Sequence, residues 1–298
     1  MMRTITLADD VAEAVVVPGL GAGLARYDFT GGQRPQPLFR PCCDLARAGP
    51  FDLACNLLVP WSNRISGGFN FDGRFYPLAP NLDGEPLPIH GIGFSSVWDV
   101  VEATTTRVSL AFQSQGPGPY SFEAAVDYAL NKGELRVDLQ VTNCGSHALP
   151  FGLGLHPWLP RTAGTTLLAR ADFVTLENSR HLPENQVPVS SRTDWDFTTH
   201  NPLPAAWINN EFSPWDGHAE VIWHDRSMRL AIETDGDPLI STYILYSPGS
   251  TAEFFCFEPV THRIDAHNRD GGPEANGLAI LDANASLSIH ARFVPTIL

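Results

Sequence analysis

Two ionisable side chains stand in apolar segments where a buried charge is costly, His156 and Glu258. His156 lies in the glycine-punctuated run 150–160, PFGLGLHPWLP, where Pro157 biases the histidine toward an extended backbone. Glu258 closes the apolar run 254–257. An imidazole and a carboxyl group are common partners in general acid–base catalysis, and burial raises the pKa of a carboxyl group toward neutral pH. Each residue alone is also compatible with a structural role, as a hydrogen-bonded strand histidine or a glutamate turned to solvent.

Two further segments place polar side chains at the end of an apolar strand or beside glycine. Asn63 and Arg64 follow the apolar segment 53–60, and His90 precedes the Gly-x-Gly sequence 91–93. Ligand-contacting groups are common where a strand gives way to a loop, and glycine allows close approach of a ligand or of backbone. The pattern indicates ligand contacts for these three side chains. A surface arginine beside a hairpin turn and a surface histidine beside a turn are the alternatives.

The elements that must position these groups are predicted to be β-strands. Apolar and polar residues alternate at period two in some segments, and other segments are apolar on both faces, as in strands between two layers. No amphipathic helical period stands out. The alternating segments are 3–7, 107–110, 135–141, 228–232 and 287–293, and the apolar ones are 53–60, 243–246 and 254–257.

Many short strands separated by glycine and proline turn signals predict an all-β fold, a large antiparallel β-sandwich or barrel. No convincing linker divides the chain, so residues 1–298 are expected to form one domain. The polar, proline-containing stretch 182–204 is predicted as a long surface loop, and such loops often border sites.

Composition restricts the class of partner. The formal charge of −14 and the pI near 5.0 argue against nucleic acid and against an anionic membrane, because both require a basic face. No signal peptide and no run approaching the ~18 apolar residues of a membrane span is present, so we expect a cytoplasmic protein, monomeric or homodimeric. The five cysteines show no Cys-x-x-Cys spacing, and we expect reduced, mostly buried thiols and no zinc site.

Taken together and in this order, the four chemistry-bearing segments resemble the aldose 1-epimerase (galactose mutarotase) family. The resemblance covers most of the chain. Its segments are Asn63-Arg64-Ile65 with Phe71-Asp72-Gly73, then His90-Gly91 with Trp98-Asp99-Val100, then Gly154-Leu155-His156-Pro157-Trp158, and finally Glu258-Pro259-Val260-Thr261-His262.

The resemblance implies a large antiparallel β-sandwich that binds a sugar in an open cleft across one sheet. It also implies interconversion of the α and β anomers of a free aldose, without metal or cofactor. By position, His156 matches the general acid and Glu258 the general base, which we expect to act as imidazolium and carboxylate from opposite sides of the sugar. Asn63, Arg64 and His90 match sugar-binding positions. A tryptophan is expected to pack on the apolar face of the sugar, with Trp61, Trp158 and Trp215 as candidates.

The chain departs from the family pattern in the specificity pocket. The aspartate of the family's Leu-Asp-His-x-Phe segment is matched here by Asn209, a neutral amide. A glutamine expected before the base has no evident counterpart, and Ser95 or Ser96 stands where an arginine is frequent. Three alternatives stay open, namely a sugar-phosphate epimerase of the same superfamily, a glycosidase with two carboxylates, and a sugar-binding or sensory module without turnover.

Overall fold

The computed structural model describes residues 2–235 and 240–298 and is built almost entirely from β-strands. In chain order the first eleven strands of the described residues are β1 (Ile5–Ala8), β2 (Ala12–Val17), β3 (Gly23–Phe29), β4 (Gln36–Pro37), β5 (Cys55–Leu58), β6 (Gly68–Phe71), β7 (Arg74–Pro77), β8 (Asp99–Ala103), β9 (Arg107–Gln115), β10 (Ser121–Asn131) and β11 (Glu134–Asn143).

The strands that follow are β12 (Leu149–Phe151), β13 (Gly154–Pro160), β14 (Thr165–Glu177), β15 (Pro183–Pro188), β16 (Asn201–Pro202), β17 (Ile208–Trp223), β18 (Met228–Asp235), β19 (Thr242–Ser247), β20 (Phe254–Val260), β21 (Ala279–Leu281) and β22 (Ser286–Ile297). Helical structure in the described residues is limited to short 3₁₀ turns at Pro50–Asp52, Gly93–Ser95, Val189–Ser191 and His224–Arg226, and to the helix α1 at Gly272–Ala275. No helix among them is long and apolar enough to cross a membrane.

The strands form the antiparallel β-sandwich that the sequence predicts. One layer runs β8-β9-β10-β11-β22-β18 and the other β1-β2-β3-β5-β13-β20-β19, with every ladder antiparallel. The long strand β17 joins them, because its residues 208–212 pair with β19 and its residues 218–223 pair with β18. The aromatic pair Phe39–Phe293 and the hydroxyl of Tyr27, which reaches the carbonyl oxygen of Phe293 at 3.1 Å, connect the two layers through the core.

The alternation predicted for 135–141 is confirmed in β11. Leu135, Val137, Leu139 and Val141 are buried in the core, whereas Arg136 is exposed. This result follows from the pleat, which turns successive side chains to opposite faces of the sheet.

Three expectations from the sequence need correction. The first strand begins at Ile5, so Arg3 lies outside it. The stretch 182–204 is not a continuous loop, because it contributes β15, β16 and a 3₁₀ turn, with Val189 and Phe197 buried against the core. The five cysteines are free thiols, as expected, but they are not mostly buried: Cys55 and Cys256 are buried, Cys42 is intermediate, and Cys43 and Cys144 are exposed.

We predict that Tyr27→Phe lowers the free energy of unfolding by about 1–2 kcal/mol, because it removes the buried hydroxyl that bonds the carbonyl oxygens of Gly133 and Phe293. Urea unfolding measures the change. Tyr76→Phe in the β6–β7 surface hairpin is the matched control and is expected to be close to neutral. Equal stability of the two variants would contradict the role assigned to the Tyr27 hydroxyl.

Candidate active site

The register between β13 and β20 brings His156 and Glu258 together. Gly154 pairs with Val260 and Trp158 with Cys256, so the residues halfway between them, His156 and Glu258, are cross-strand neighbours. Their side chains leave the sheet on the same face, and His156 Nε2 lies 3.4 Å from Glu258 Oε1. The expectation that the two groups act from opposite sides of the sugar is therefore wrong. Antiparallel pairing places them side by side on one wall.

The pleat also decides which face this wall is on. Leu155 on β13 and Phe257 on β20 belong to the hydrophobic core of the sandwich. Since side chains alternate along a strand, His156 and Glu258 point away from that core. Both remain buried, with side-chain exposures of 7% and 3%, because loops cover this face.

Burial sets the protonation of the pair. It raises the pKa of Glu258 from its ordinary 4.5 to about 8, against the opposing charge of Arg64. Burial, with a smaller contribution from the positive charge of Arg40, lowers the pKa of His156 from 6.5 to about 3. Both shifts favour a protonated Glu258 and a neutral His156 in the free site. The carboxylate and imidazolium expected from the sequence are the reacting form of the pair, and that form stays a prediction.

A cavity of about 240 Å³ opens beside the pair, small compared with the ~300–1,000 Å³ of pockets for drug-sized ligands. All seven site residues predicted from the sequence line it, although they are spread between positions 63 and 258 of the chain. Cavities of about 500 and 790 Å³ occur elsewhere and contain none of the seven. The cavity is lined by Phe51, Asn63, Arg64, Glu85, Ile89, His90, His156, Trp158, His181, Trp207, Asn209, Tyr246 and Glu258.

Asn63 and His90 are held by a strained pair of turns. Both residues have left-handed backbones, with φ of 55° and 58°. The backbone N–H of Asn63 donates to His90 Nδ1 at 3.0 Å, and the N–H of His90 donates to the carbonyl oxygen of Asn63 at 3.0 Å. A Cβ on the next residue, Gly91, would collide with the carbonyl oxygen of Val59, so this turn requires glycine. These contacts fix both side chains at the cavity.

The hydrogen bond at Nδ1 determines the tautomer of His90. Because Nδ1 accepts, the neutral ring carries its proton on Nε2. Burial and the neighbouring His156 and Arg64 hold the pKa of His90 well below 6.5, so the ring stays neutral. His90 is therefore a hydrogen-bond donor through Nε2.

The same tautomer bears on metal binding. Ligand atoms of His90, His156 and Glu258 lie within 4.8 Å of one another, close enough for a two-histidine, one-carboxylate centre. A metal-ligating histidine normally donates its other ring N–H to an acceptor. His90 instead accepts at Nδ1, and ligation through Nε2 would leave the ring with no proton at all. The donor set thus fits a hydrogen-bonding role better than a metal centre.

Arg64 is paired inside the cavity with Glu85, which the sequence did not reveal. Its Nε and Nη2 donate to the two carboxylate oxygens of Glu85 at 3.0 and 2.8 Å, and the Arg64 side chain is only 10% exposed. Glu85 lies in the proline-rich segment 79–88, where no regular pattern marks its side chain as part of a site. The bidentate pair balances the positive charge that Arg64 brings to the site.

Of the three tryptophans expected to pack on the sugar, only Trp158 lines the cavity. Trp61 and Trp215 are buried in the core and do not line the cavity. Trp158 does line it, but its ring stacks on His156 at a centroid distance of 5.2 Å and lies 4.0 Å under the guanidinium of Arg40. His156 and Arg40 thus cover much of the flat surface of Trp158. Trp207, which the sequence analysis missed, lines the cavity with 45% of its surface exposed.

Asn209 is at the cavity wall, as predicted, and its amide is bonded to a second unpredicted carboxylate. Its Nδ2 donates to Glu177 Oε2 at 2.8 Å. Ser95 and Ser96, which replace the frequent arginine, are absent from the cavity lining. Arg161 lines a different cavity and bonds Ser247 and backbone carbonyl oxygens.

Three buried polar atoms of the site lack a hydrogen-bond partner among the described residues. They are His156 Nδ1, Glu258 Oε2 and Trp158 Nε1. Buried polar groups in proteins are nearly always satisfied, and the exceptions concentrate where a ligand or a reaction uses them. Eight further atoms of this kind in the described part of the chain lie outside the cavity, so the three are available to a hydroxyl-bearing ligand but do not by themselves identify one.

The chain is similar to several known proteins. The model of the family described as Aldose 1-epimerase matches residues 3–293. The chain is 32% identical to the uncharacterized protein YphB of Escherichia coli K12 over 238 residues, 76% of this chain and 80% of YphB. It resembles the crystal structure of a candidate aldose 1-epimerase from Escherichia coli K12 over all of both chains, with a TM-score of 0.90 and 28% identity. The GalM/aldose epimerase homologue of C. elegans also matches over all of both chains, with a TM-score of 0.83 and 18% identity, a likeness of fold.

We predict that Glu258→Gln changes how stability depends on pH. Because the folded pKa of about 8 lies above the ordinary 4.5, the wild-type fold loses stability as pH rises between these values, and the loss is complete above about 8. Glutamine does not titrate, so the variant gains on the wild type over this range, by roughly 5 kcal/mol at most. Urea unfolding near pH ~5, ~7 and ~9 measures the difference. A constant difference at all three values would mean that Glu258 is not a buried acid.

Proposed function

Because the chain belongs to the aldose 1-epimerase family, we propose that it is an isomerase that interconverts the α and β anomers of a free aldose. The observation that carries the proposal is the contact of 3.4 Å between His156 and Glu258 at the wall of a cavity of sugar size. Anomerisation requires one group that takes a proton and one that gives a proton, and these two residues are such a pair.

In the proposed reaction Glu258 is the general base and His156 the general acid. Glu258 takes the proton of the anomeric hydroxyl, and His156 gives a proton to the ring oxygen as the bond between C1 and that oxygen breaks. The open aldehyde rotates about its C1–C2 bond. Closure returns the proton from Glu258 to the C1 oxygen and takes the proton of the attacking hydroxyl back onto His156, which leaves the enzyme unchanged.

The electrostatics of the site favour ring opening. The reacting form of the pair is a carboxylate beside an imidazolium, and opening converts it into a protonated Glu258 beside a neutral His156. That product state is the one that burial stabilises in the free site. The reacting form arises when the proton of Glu258 passes to His156, 3.4 Å away, and opening then places one proton on Glu258 and removes one from His156. The pair carries the same total charge throughout, so the cycle needs no exchange with solvent. Opening thus relieves a charge separation that the buried cavity opposes.

The remaining lining residues suit sugar binding. His90 offers a hydrogen bond from Nε2, and Asn63 and Asn209 offer amide groups at the wall. Trp207 presents an exposed indole face, which matches the apolar face of a pyranose ring. We therefore propose that Trp207, and not Trp158, packs on the apolar face of the sugar.

The alternative functions fit the cavity less well. A sugar phosphate needs unpaired cations, yet Arg64, the sole lining guanidinium among the described residues, is bonded to Glu85. Glu85 is a second cavity carboxylate, as a glycosidase requires, but both of its oxygens are engaged by Arg64. A binding module without turnover shares all of this geometry and differs only in activity.

We predict that the protein accelerates the change in optical rotation of freshly dissolved α-aldoses, measured by polarimetry or NMR over a panel that includes glucose and galactose. The active pair holds one proton, so kcat/KM is expected to fall as pH rises through about 8, where Glu258 loses it. The rate in buffer alone is subtracted at each pH. Equilibration no faster than buffer for every sugar would leave the binding module as the better description.

We further predict that Glu258→Gln and His156→Asn each lower kcat by ~10²–10⁴-fold with a much smaller change in KM, since each keeps shape and removes one proton transfer. Glu123→Gln, on the exposed side of β10, is the matched control and is expected to retain full activity. Wild-type turnover in either site variant would remove that residue from the proposed mechanism.

A further inference from the structure

One carboxylate outside the cavity bonds three side chains that line it. Glu177, the last residue of β14, accepts hydrogen bonds from Asn209 Nδ2 at 2.8 Å, from Trp207 Nε1 at 2.9 Å and from His181 Nδ1 at 2.7 Å. The Glu177 side chain is 17% exposed and is not part of the cavity lining. Its effect on a ligand must therefore pass through these three residues.

The carboxylate fixes the orientation of the Asn209 amide. An ionised carboxylate only accepts hydrogen bonds, so the amide must turn its NH₂ group toward Glu177. The oxygen Oδ1 is then the group that Asn209 offers to a ligand. A sugar hydroxyl that faces this oxygen binds as a donor.

The other two contacts act in the same way. The indole N–H of Trp207 donates to Glu177, so only the exposed ring face remains for contact with an apolar surface of the ligand. The rings of Trp207 and Tyr246 pack edge-to-face with their centroids 5.1 Å apart. The bond to Glu177 places the proton of His181 on Nδ1. His181 has a left-handed backbone, with φ of 57°, and a turn in which Asn178 accepts its N–H at 3.0 Å holds it.

We propose that Glu177 is a positioning residue that sets sugar preference, by orienting Asn209, Trp207 and His181 as one recognition wall for a hydroxyl-donating face of the aldose. The inference rests on the proposed function. The negative charge that the family pattern expects at position 209 is supplied here from Glu177, one hydrogen bond further from the sugar. At this wall the sugar hydroxyl groups donate hydrogen bonds to neutral acceptors such as Asn209 Oδ1.

Charge exchange between positions 177 and 209 tests the proposal. Asn209→Asp alone replaces the amide that donates to Glu177 at 2.8 Å by a second carboxylate. The two carboxylates repel each other, so KM is expected to rise at least ~10-fold. Glu177→Gln weakens all three bonds, and a rise in KM of ~3–10-fold with kcat nearly constant is expected. In the double variant the amide introduced at position 177 donates to the carboxylate introduced at position 209, so KM returns toward the wild-type value while the order of preference among the sugars changes.

Glu220→Gln is the matched control. Glu220 is also a partly buried carboxylate, 19% exposed, that bonds His200 and Arg229, and it is remote from the cavity lining. Its kinetics are expected to equal those of the wild type. Thermal unfolding of each variant separates misfolding from a loss of recognition.

Sugar affinity from tryptophan fluorescence titration is measured beside turnover, so that the two proposals fail separately. A wild type that binds aldoses without anomerising them refutes the proposed function, and the pattern of Kd across the variants still tests the wall. The proposal is overturned if Glu177→Gln matches the wild type, if the double variant is no better than Asn209→Asp, or if the wild type binds no sugar in the panel.

Discussion

The site depends on one contact, the cross-strand approach of His156 to Glu258. Antiparallel pairing of β13 with β20 fixes their relative position before any loop is considered, and the pleat sends both side chains to the face opposite the core. Strands buried on both faces cannot shift easily, because a slip of one residue would exchange the cavity face for the hydrophobic face. The same burial raises the pKa of Glu258 and lowers that of His156, so it disfavours the charged form of both groups.

The loops that complete the cavity carry strain that the sandwich supports. Asn63, His90 and His181 line the cavity, and each has a positive φ without being glycine. Such conformations persist where surrounding contacts determine them, and here the contacts are backbone hydrogen bonds between the turns at Asn63 and His90 and within the turn 178–182. When a ligand binds to a preorganised wall of this kind, little of the binding free energy is lost to ordering the side chains of the protein.

A site residue can be predicted from the sequence only where its type stands out against the pattern of its neighbours. His156 and Glu258 are conspicuous because they are polar in apolar strands, and the period-two patterns are enough for the sandwich. Glu85, Glu177 and Trp207 were not recognised, since they gain their roles only through partners distant in the chain. The pKa shifts of His156 and Glu258 could not be predicted from the sequence either, because they depend on how completely other parts of the chain cover the two groups.

The distribution of charge has a consequence for selectivity. Burial raises the pKa of Glu258 and so favours its neutral form, the positive charge of Arg64 is balanced by Glu85, and the carboxylate of Glu177 lies behind Asn209. A sugar bound as we propose would meet mainly neutral donors and acceptors, which form hydrogen bonds about half as strong as charged ones. A wrongly oriented hydroxyl then costs less than it would against a buried carboxylate, so discrimination between epimers depends on the rigidity of the wall more than on the strength of any one bond. On this argument, the hydrogen bonds that hold Asn209, Trp207 and His181 in place matter as much for specificity as the groups that touch the sugar.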